Sequence, residues 1–218
     1  IRDRYYFRAF GKNTEDEKES SQGSIEQFTA EGGSPAWTCG DNFVDERDLQ
    51  EYSTVQIGGQ CWMAENLNYA TGNSWCYDDN PSNCDTYGRL YDWNTAIGAC
   101  PSGWHLPTDN EQHTLDSYLA TGTCDGSREG TWDCDPAGTL MKTAAWGGNN
   151  SSGFTALPGG YRLTDGTFYF IGTLARFWSS SASSDTHAWY RGLYSDRSTV
   201  YRYAHAKSNG FSVRCLRD

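Results

Sequence analysis

The chain has 218 residues, 37% of them hydrophobic and 15% aromatic, with nine Trp, fourteen Tyr and 24 Gly. A net charge of −11 excludes nucleic acid as a general partner, since an acidic surface repels a polyanion. No apolar run reaches the roughly 20 residues of a membrane helix, so no membrane insertion is expected of this segment. In chain order, residues 1–33 read as two strands, YYFRAFGKN and SIEQFTAEG, separated by a charged loop. Two strands cannot bury a core alone. They are expected to be either the last strands of a preceding immunoglobulin- or fibronectin III-like module or an N-terminal hairpin packed on the main domain. The chain opens on Ile1 without a signal peptide, so a processed piece of a longer protein is expected.

The main domain is expected over 39–218. STVQI and QCWM flank Gly58-Gly59, which predicts a hairpin with a two-residue turn. Residues 64–90 read as loop. GRLYDWNTAIGAC predicts a strand and then a short helix, on the spacing of Leu90, Trp93 and Ile97. Thr108 with Glu111 three residues on forms a capping box, starting a helix that runs to about Leu119 with Leu115, Tyr118 and Leu119 inward. A further short helix is expected near Gly138–Ala145. From residue 154 the pattern is short strands: GGYRLT and TFYFIG around Asp165-Gly166, then ARFWSSS, AWYRGLY, VYRYAH and FSVRCL.

The eight cysteines are Cys39, Cys61, Cys76, Cys84, Cys100, Cys124, Cys134 and Cys215. Spacing cannot fix their connectivity, but it ranks the options. Cys76 with Cys84 and Cys124 with Cys134 would each close a short loop. Cys39 with Cys61 would clip one strand–turn–strand unit, which leaves Cys100 with Cys215. No knuckle of the C-x(2–4)-C kind is present for zinc. Four disulfides imply an oxidising compartment, hence an exported, extracellular or cell-surface location.

AWYRGLY and VYRYAHA predict an antiparallel hairpin around Ser195–Thr199. Pairing Tyr194 with Tyr201, Gly192 with Tyr203 and Tyr190 with His205 puts Tyr190, Gly192, Tyr194, Tyr201, Tyr203 and His205 on one face. Trp189, Arg191, Leu193, Val200, Arg202 and Ala204 fall on the other, which should pack inward, with acceptors for its two arginines. The turn adds Asp196 and Arg197. Tyrosine gives large contact area at low entropy cost, with a polar tip, so this face is the candidate ligand-binding surface. Residues 176–217 are locally basic, with Arg176, Arg191, Arg197, Arg202, Lys207, Arg214 and Arg217 against Asp185 and Asp196. That charge serves either salt bridges to the acidic remainder or an anionic ligand.

No nucleophile elbow or phosphate-binding glycine loop occurs. His105 and His113 flank a helix start, and His105 is expected in the core. Asp78, Asp79 and Asp85 lack the spacing of a calcium loop. No catalytic residue, metal or cofactor is assigned.

Six blocks occur in order: TVQIGGQCWMAENLNY, WCYDDNPSNCDTYGRLYDWNTA, ACPSGWHLPTDNE, FTALPGGYR, FWSSS and KSNGFSVRCLRD. Together, over about residues 40–218, they resemble the Fibrobacter succinogenes major paralogous domain family. That family is similar in fold to C-type lectins, to the formylglycine-generating enzyme and to the variable proteins of diversity-generating retroelements. The resemblance implies an α+β, C-type lectin-like domain with a twisted antiparallel sheet, two main short helices and long disulfide-stapled loops. It also implies the Cys100–Cys215 bridge and ligand contacts in the C-terminal segment. The calcium-binding tripeptides of sugar-binding lectins are missing, as is the second C-terminal cysteine of the formylglycine-generating enzyme. The expected function is a non-enzymatic, adhesin-like binding domain for a protein or glycan ligand. The alternatives are a structural module of a cell-surface assembly and, third, a catalyst on the formylglycine-generating fold.

Overall fold

The computed structural model describes residues 37–218. The strands expected within 1–33 lie outside the described residues. A small hairpin opens the domain, β1 (Phe43–Asp45) and β2 (Gln50–Tyr52). The double-glycine hairpin follows as β3 (Thr54–Ile57) and β4 (Gln60–Met63). Gly58 sits at φ 58°, the left-handed region that favours glycine there. After β5 (Ser74–Trp75) the segment read as loop carries α1 (Pro81–Tyr87). The Asn80 side chain accepts from Ser82 N and Pro81 occupies the first turn. Both are helix-start devices.

Next come β6 (Leu90–Tyr91), α2 (Trp93–Ala96) and β7 (Trp104–His105). The capping-box helix is α3 (Asp109–Leu119), with Thr108 and Glu111 bonded reciprocally. Leu115 and Leu119 are buried, but Tyr118 is 65% exposed. Its ring lies across the Gly58 turn, where a side chain on Gly58 would meet it at 2.9 Å. Then follow β8 (Thr131–Asp133), α4 (Ala137–Met141), β9 (Gly159–Arg162) and β10 (Phe168–Ile171). The chain ends with β11 (Leu174–Ala182), β12 (His187–Tyr194), β13 (Val200–Ala206), β14 (Phe211–Ser212) and β15 (Leu216–Arg217).

The fold is α+β. Its main sheet runs β5-β6-β14-β11-β12-β13-β8, with β9 pairing both β10 and β11. It is mostly antiparallel; β11 pairs in parallel with β14 and β9. A second sheet orders β3-β4-β15-β7. Alternation along β11 separates two apolar clusters. Leu174 and Trp178 face Tyr91, Tyr190 and Phe211 on one side. Ala175 and Phe177 face Leu115, Met141, Leu193 and Val200 on the other.

All four expected disulfides form: Cys39–Cys61, Cys76–Cys84, Cys100–Cys215 and Cys124–Cys134. His105 is not a core residue. Its side chain is 35% exposed and bridges Asp218 (2.7 Å) and Glu111 (3.2 Å). β7 is a short edge-lying strand beside the C-terminal β15, which brings the last carboxylate to the imidazole.

Candidate ligand-binding face

The hairpin of β12 and β13 forms, but two residues out of the expected register. Gly192 faces Tyr201, Tyr190 faces Tyr203 and Ala188 faces His205. The connection causes the shift. Lys142, fully buried, donates from Nζ to the carbonyls of Tyr194 (2.5 Å), Arg197 (2.7 Å) and Ser195 (3.3 Å). The chain curls around that ammonium instead of closing a short turn, and Tyr194 pairs with Leu174 of β11. A slip of two keeps every side chain on its own face, so the two expected faces survive.

The inner face packs on α3. Arg191 gives Nε to Asp116 (2.7 Å) and Nη1 to Asp109 (2.6 Å). Arg202 forks onto Asp109 at 2.8 and 3.0 Å, and its guanidinium stacks 3.6 Å from the Trp189 ring centre. Arg128, also buried, closes the set on Asp116 at 2.9 Å. Burial resists the charge on Asp109, but Arg202 and Arg191 outweigh it and hold the carboxyl below its ordinary value. These carboxylates are saturated by guanidinium groups and act as structural counter-ions.

The outer face divides. Tyr190 is only 2% exposed; it packs against Phe211 (5.1 Å) and edge-on to Trp178 (6.5 Å). It supports the face rather than contacting a ligand, because the Trp178–Phe211 stack covers this end of the sheet. His205 is likewise inward. Its Nδ1 accepts from Ala206 N (3.0 Å) and from the Asn209 amide, and burial, with the charges of Arg176 and His187, lowers its pKa to about 4. Tyr203 stands out at 40% exposure. Tyr194 and Tyr201 are half-buried, each 4.9 Å from the Trp132 ring. A side chain on Gly192 would meet Tyr201 at 3.3 Å, Tyr190 at 3.5 Å and Tyr194 at 3.6 Å. The bare glycine is what lets these rings converge. Asp196 and Arg197 lie exposed at the tip, 3.9 Å apart, and Arg197 also approaches Trp132 (5.6 Å).

Five residues of this face were not assigned to it by the sequence. Trp132 borders it from β8, opposite Tyr201. Tyr161 and Tyr169 stack at 5.8 Å across β9 and β10. Phe170, 57% exposed, takes a left-handed backbone (φ 64°) and brings its ring within 6.0 Å of Tyr161. A positive φ at a bulky residue is strain held by its surroundings; here the result is a second aromatic ring beside Tyr169. Arg176, opposite Gly192 on β11, lies between the two tyrosine groups. Its guanidinium is 3.8 Å from the Tyr161 ring centre and 5.1 Å from that of Tyr190. Extending the alternation of the hairpin onto ARFW would have placed Arg176 on this face.

Surface hollows lie elsewhere. One of about 280 Å³ is bordered by Tyr52, Glu65, Asn68 and Asp85, and one of about 340 Å³ by Phe43, Arg47 and Pro101. Among the described residues no group of three His, Cys, Asp or Glu side chains is placed to hold a metal ion, and no helix is long and apolar enough to cross a membrane.

A disulfide-stapled α+β domain with an aromatic sheet face is the class these features define. The chain belongs to the Fibrobacter succinogenes major domain family, which matches residues 55–217. No curated protein and no solved structure matches the chain. The family and the four disulfides are consistent with an extracellular domain.

Proposed function

We propose that this domain is a non-enzymatic binding module displayed outside the cell, which captures a protein or glycan ligand on the aromatic face of its main sheet. One observation carries the reading. Tyr203, Tyr169 and Phe170 are exposed at 40%, 38% and 57% on a sheet whose core they do not complete. Exposed aromatics on a rigid scaffold are the usual anchors of recognition surfaces. Beneath them Lys142, the α3 ion pairs and the Trp178–Phe211 stack hold the strands in place, so little ordering is left for binding to supply. The bonding of Cys215 to Cys100 supports the non-enzymatic reading over the formylglycine-generating one, which needs a free thiol pair. A C-type lectin-like fold is part of the same proposal, supported by the bridge from the α2 region to the last strand.

The test is a glycan and surface-protein array probed with the domain and with Tyr203→Ala and Tyr169→Ala. Both side chains are exposed, so both variants should fold. Loss of at least about tenfold in affinity for a captured ligand is expected, the scale of an interface hot spot. Binding unchanged in both variants would move the site off this face and favour a structural role.

A further inference from the structure

Resting on that reading, we propose that Arg176 is the specificity centre of the face, taking the carboxylate of an acidic sugar residue whose ring lies against the neighbouring tyrosines. Three observations point there. First, Arg176 is only 9% exposed, yet its Nε and Nη1 are buried without a hydrogen-bond partner. The other buried arginines of the described residues each have a carboxylate, amide or carbonyl partner, although Arg128 Nε is itself unpaired. Arg128, Arg191 and Arg202 meet Asp109 or Asp116, and Arg214 meets the Asn66 amide and the carbonyls of Met63, Phe154 and Thr155. Arg176 is in no ion pair among the described residues. Burying a cation without an acceptor is costly, and an unsatisfied group in a folded domain calls for an explanation. An external anion supplies one.

Second, its surroundings are aromatic rather than acidic. Tyr161 stacks on the guanidinium at 3.8 Å, and Phe211 lies 5.2 Å away. Stacking keeps the cation in place while leaving its N–H groups free. The chain as a whole is strongly acidic, with net charge −11, so a polyanion would be repelled. A single carboxylate delivered to a local positive site would not.

Third, the rim suits a ring. Tyr169 and Phe170 are exposed with their rings within 36° of one another, and the buried Tyr161 ring lies near-parallel (27°) beside Tyr169 as their support. Aromatic faces are the negative pole of their quadrupole, and the axial C–H groups of a pyranose are weakly positive. Phenol hydroxyls at Tyr194 and Tyr201 can meet sugar hydroxyls. A peptide would bring backbone groups in need of partners, and the strands here already spend theirs in the ladder. Because two guanidinium nitrogens are enclosed, the aromatic side chains around them must shift on binding, a side-chain adjustment common at interfaces.

The experiment titrates the domain with glucuronic acid, glucose and an acetyl-glutamate amide, following tyrosine and tryptophan fluorescence and NMR shifts, for wild type, Arg176→Met and Arg176→Lys. Wild type should respond to glucuronic acid and not to glucose. Arg176→Met should weaken that response at least about tenfold, the worth of a charge-assisted contact, while its melting temperature holds or rises because a buried unpaired charge is gone. Arg176→Lys should retain part of the response, and it stands in should the Met variant fail to fold. Equal binding by wild type and Arg176→Met, equal binding of glucose, or preference for the glutamate amide would each overturn the proposal. An array ligand that needs Tyr203 but tolerates Arg176→Met would remove Arg176 and keep the face. An array ligand indifferent to Tyr203, Tyr169 and Arg176 would remove both.

Discussion

At the scale of single residues, the outer face shows how position overrides type. His205 stands in a row of tyrosines, where a contact or a proton switch would be the natural reading. Its Nδ1 is instead an acceptor for Ala206 N and Asn209, which fixes the ring neutral. Its folded pKa of about 4 lies below the ordinary 6.5. A depressed value means stability present above about pH 6.5 and lost as pH falls through about 4. NMR titration should find the ring neutral until about pH 4, and His205→Gln should flatten the melting profile across that window. Lys142 is the opposite case, a cation whose ligands are backbone carbonyls. Lys142→Met leaves the carbonyls of Tyr194, Ser195 and Arg197 without their donor. A loss of about 2–3 kcal/mol is expected, together with faster amide exchange along Val200–Arg202, since the ammonium sets the register. Denaturant melts and hydrogen exchange check both.

At the scale of elements, the locally encoded ones were readable. Gly58-Gly59 and Asp165-Gly166 turn their hairpins, and the Thr108–Glu111 box starts α3. Each signal sits within four residues of its effect. Helix α1 was missed although its signal, Asn80 before Pro81, is equally local; the aspartates and asparagines of the loop masked it. Tyr118 was misplaced because its partner is a distant turn glycine, which helix periodicity cannot see. The hairpin faces were right and the register wrong for the same reason. Alternation is local, whereas the Lys142 ligation joins residues far apart in sequence. The buried arginines on the inner face were expected to need acids, and α3 supplies them. Asp109→Asn should therefore cost about 3–5 kcal/mol, the scale for breaking a buried pair, and lower the melting temperature more at pH 7 than at pH 3. The carboxyl is held below its ordinary 3.8, so its contribution is present above that value and fades as pH falls below it.

At the scale of the molecule, the candidate site is an assembly of strands distant in sequence. Reading β12 and β13 alone gave the tyrosines of one hairpin. Trp132, Tyr161, Tyr169, Phe170 and Arg176 join only through the order β10-β9-β11-β12-β13-β8, which no local pattern states. The disulfides show the same contrast of scale. Cys76–Cys84 closes a separation of 8 residues and Cys100–Cys215 one of 115. On the chain-entropy account the short loop is worth about 2.5 kcal/mol and the long one about 5 kcal/mol. The short loop also holds its own helix, started by Asn80 and Pro81. The long bridge joins the end of the α2 region to the chain just before β15, and β15 links β4 to β7. Replacing Cys76 and Cys84 together by Ser should thus lower stability modestly and leave ligand capture intact. Replacing Cys100 and Cys215 should cost about twice as much and loosen the second sheet against the first. Paired denaturant melts separate the two cases. Equal losses from both replacements would show that local strain, not the length of chain enclosed, sets the worth of each bridge in this domain.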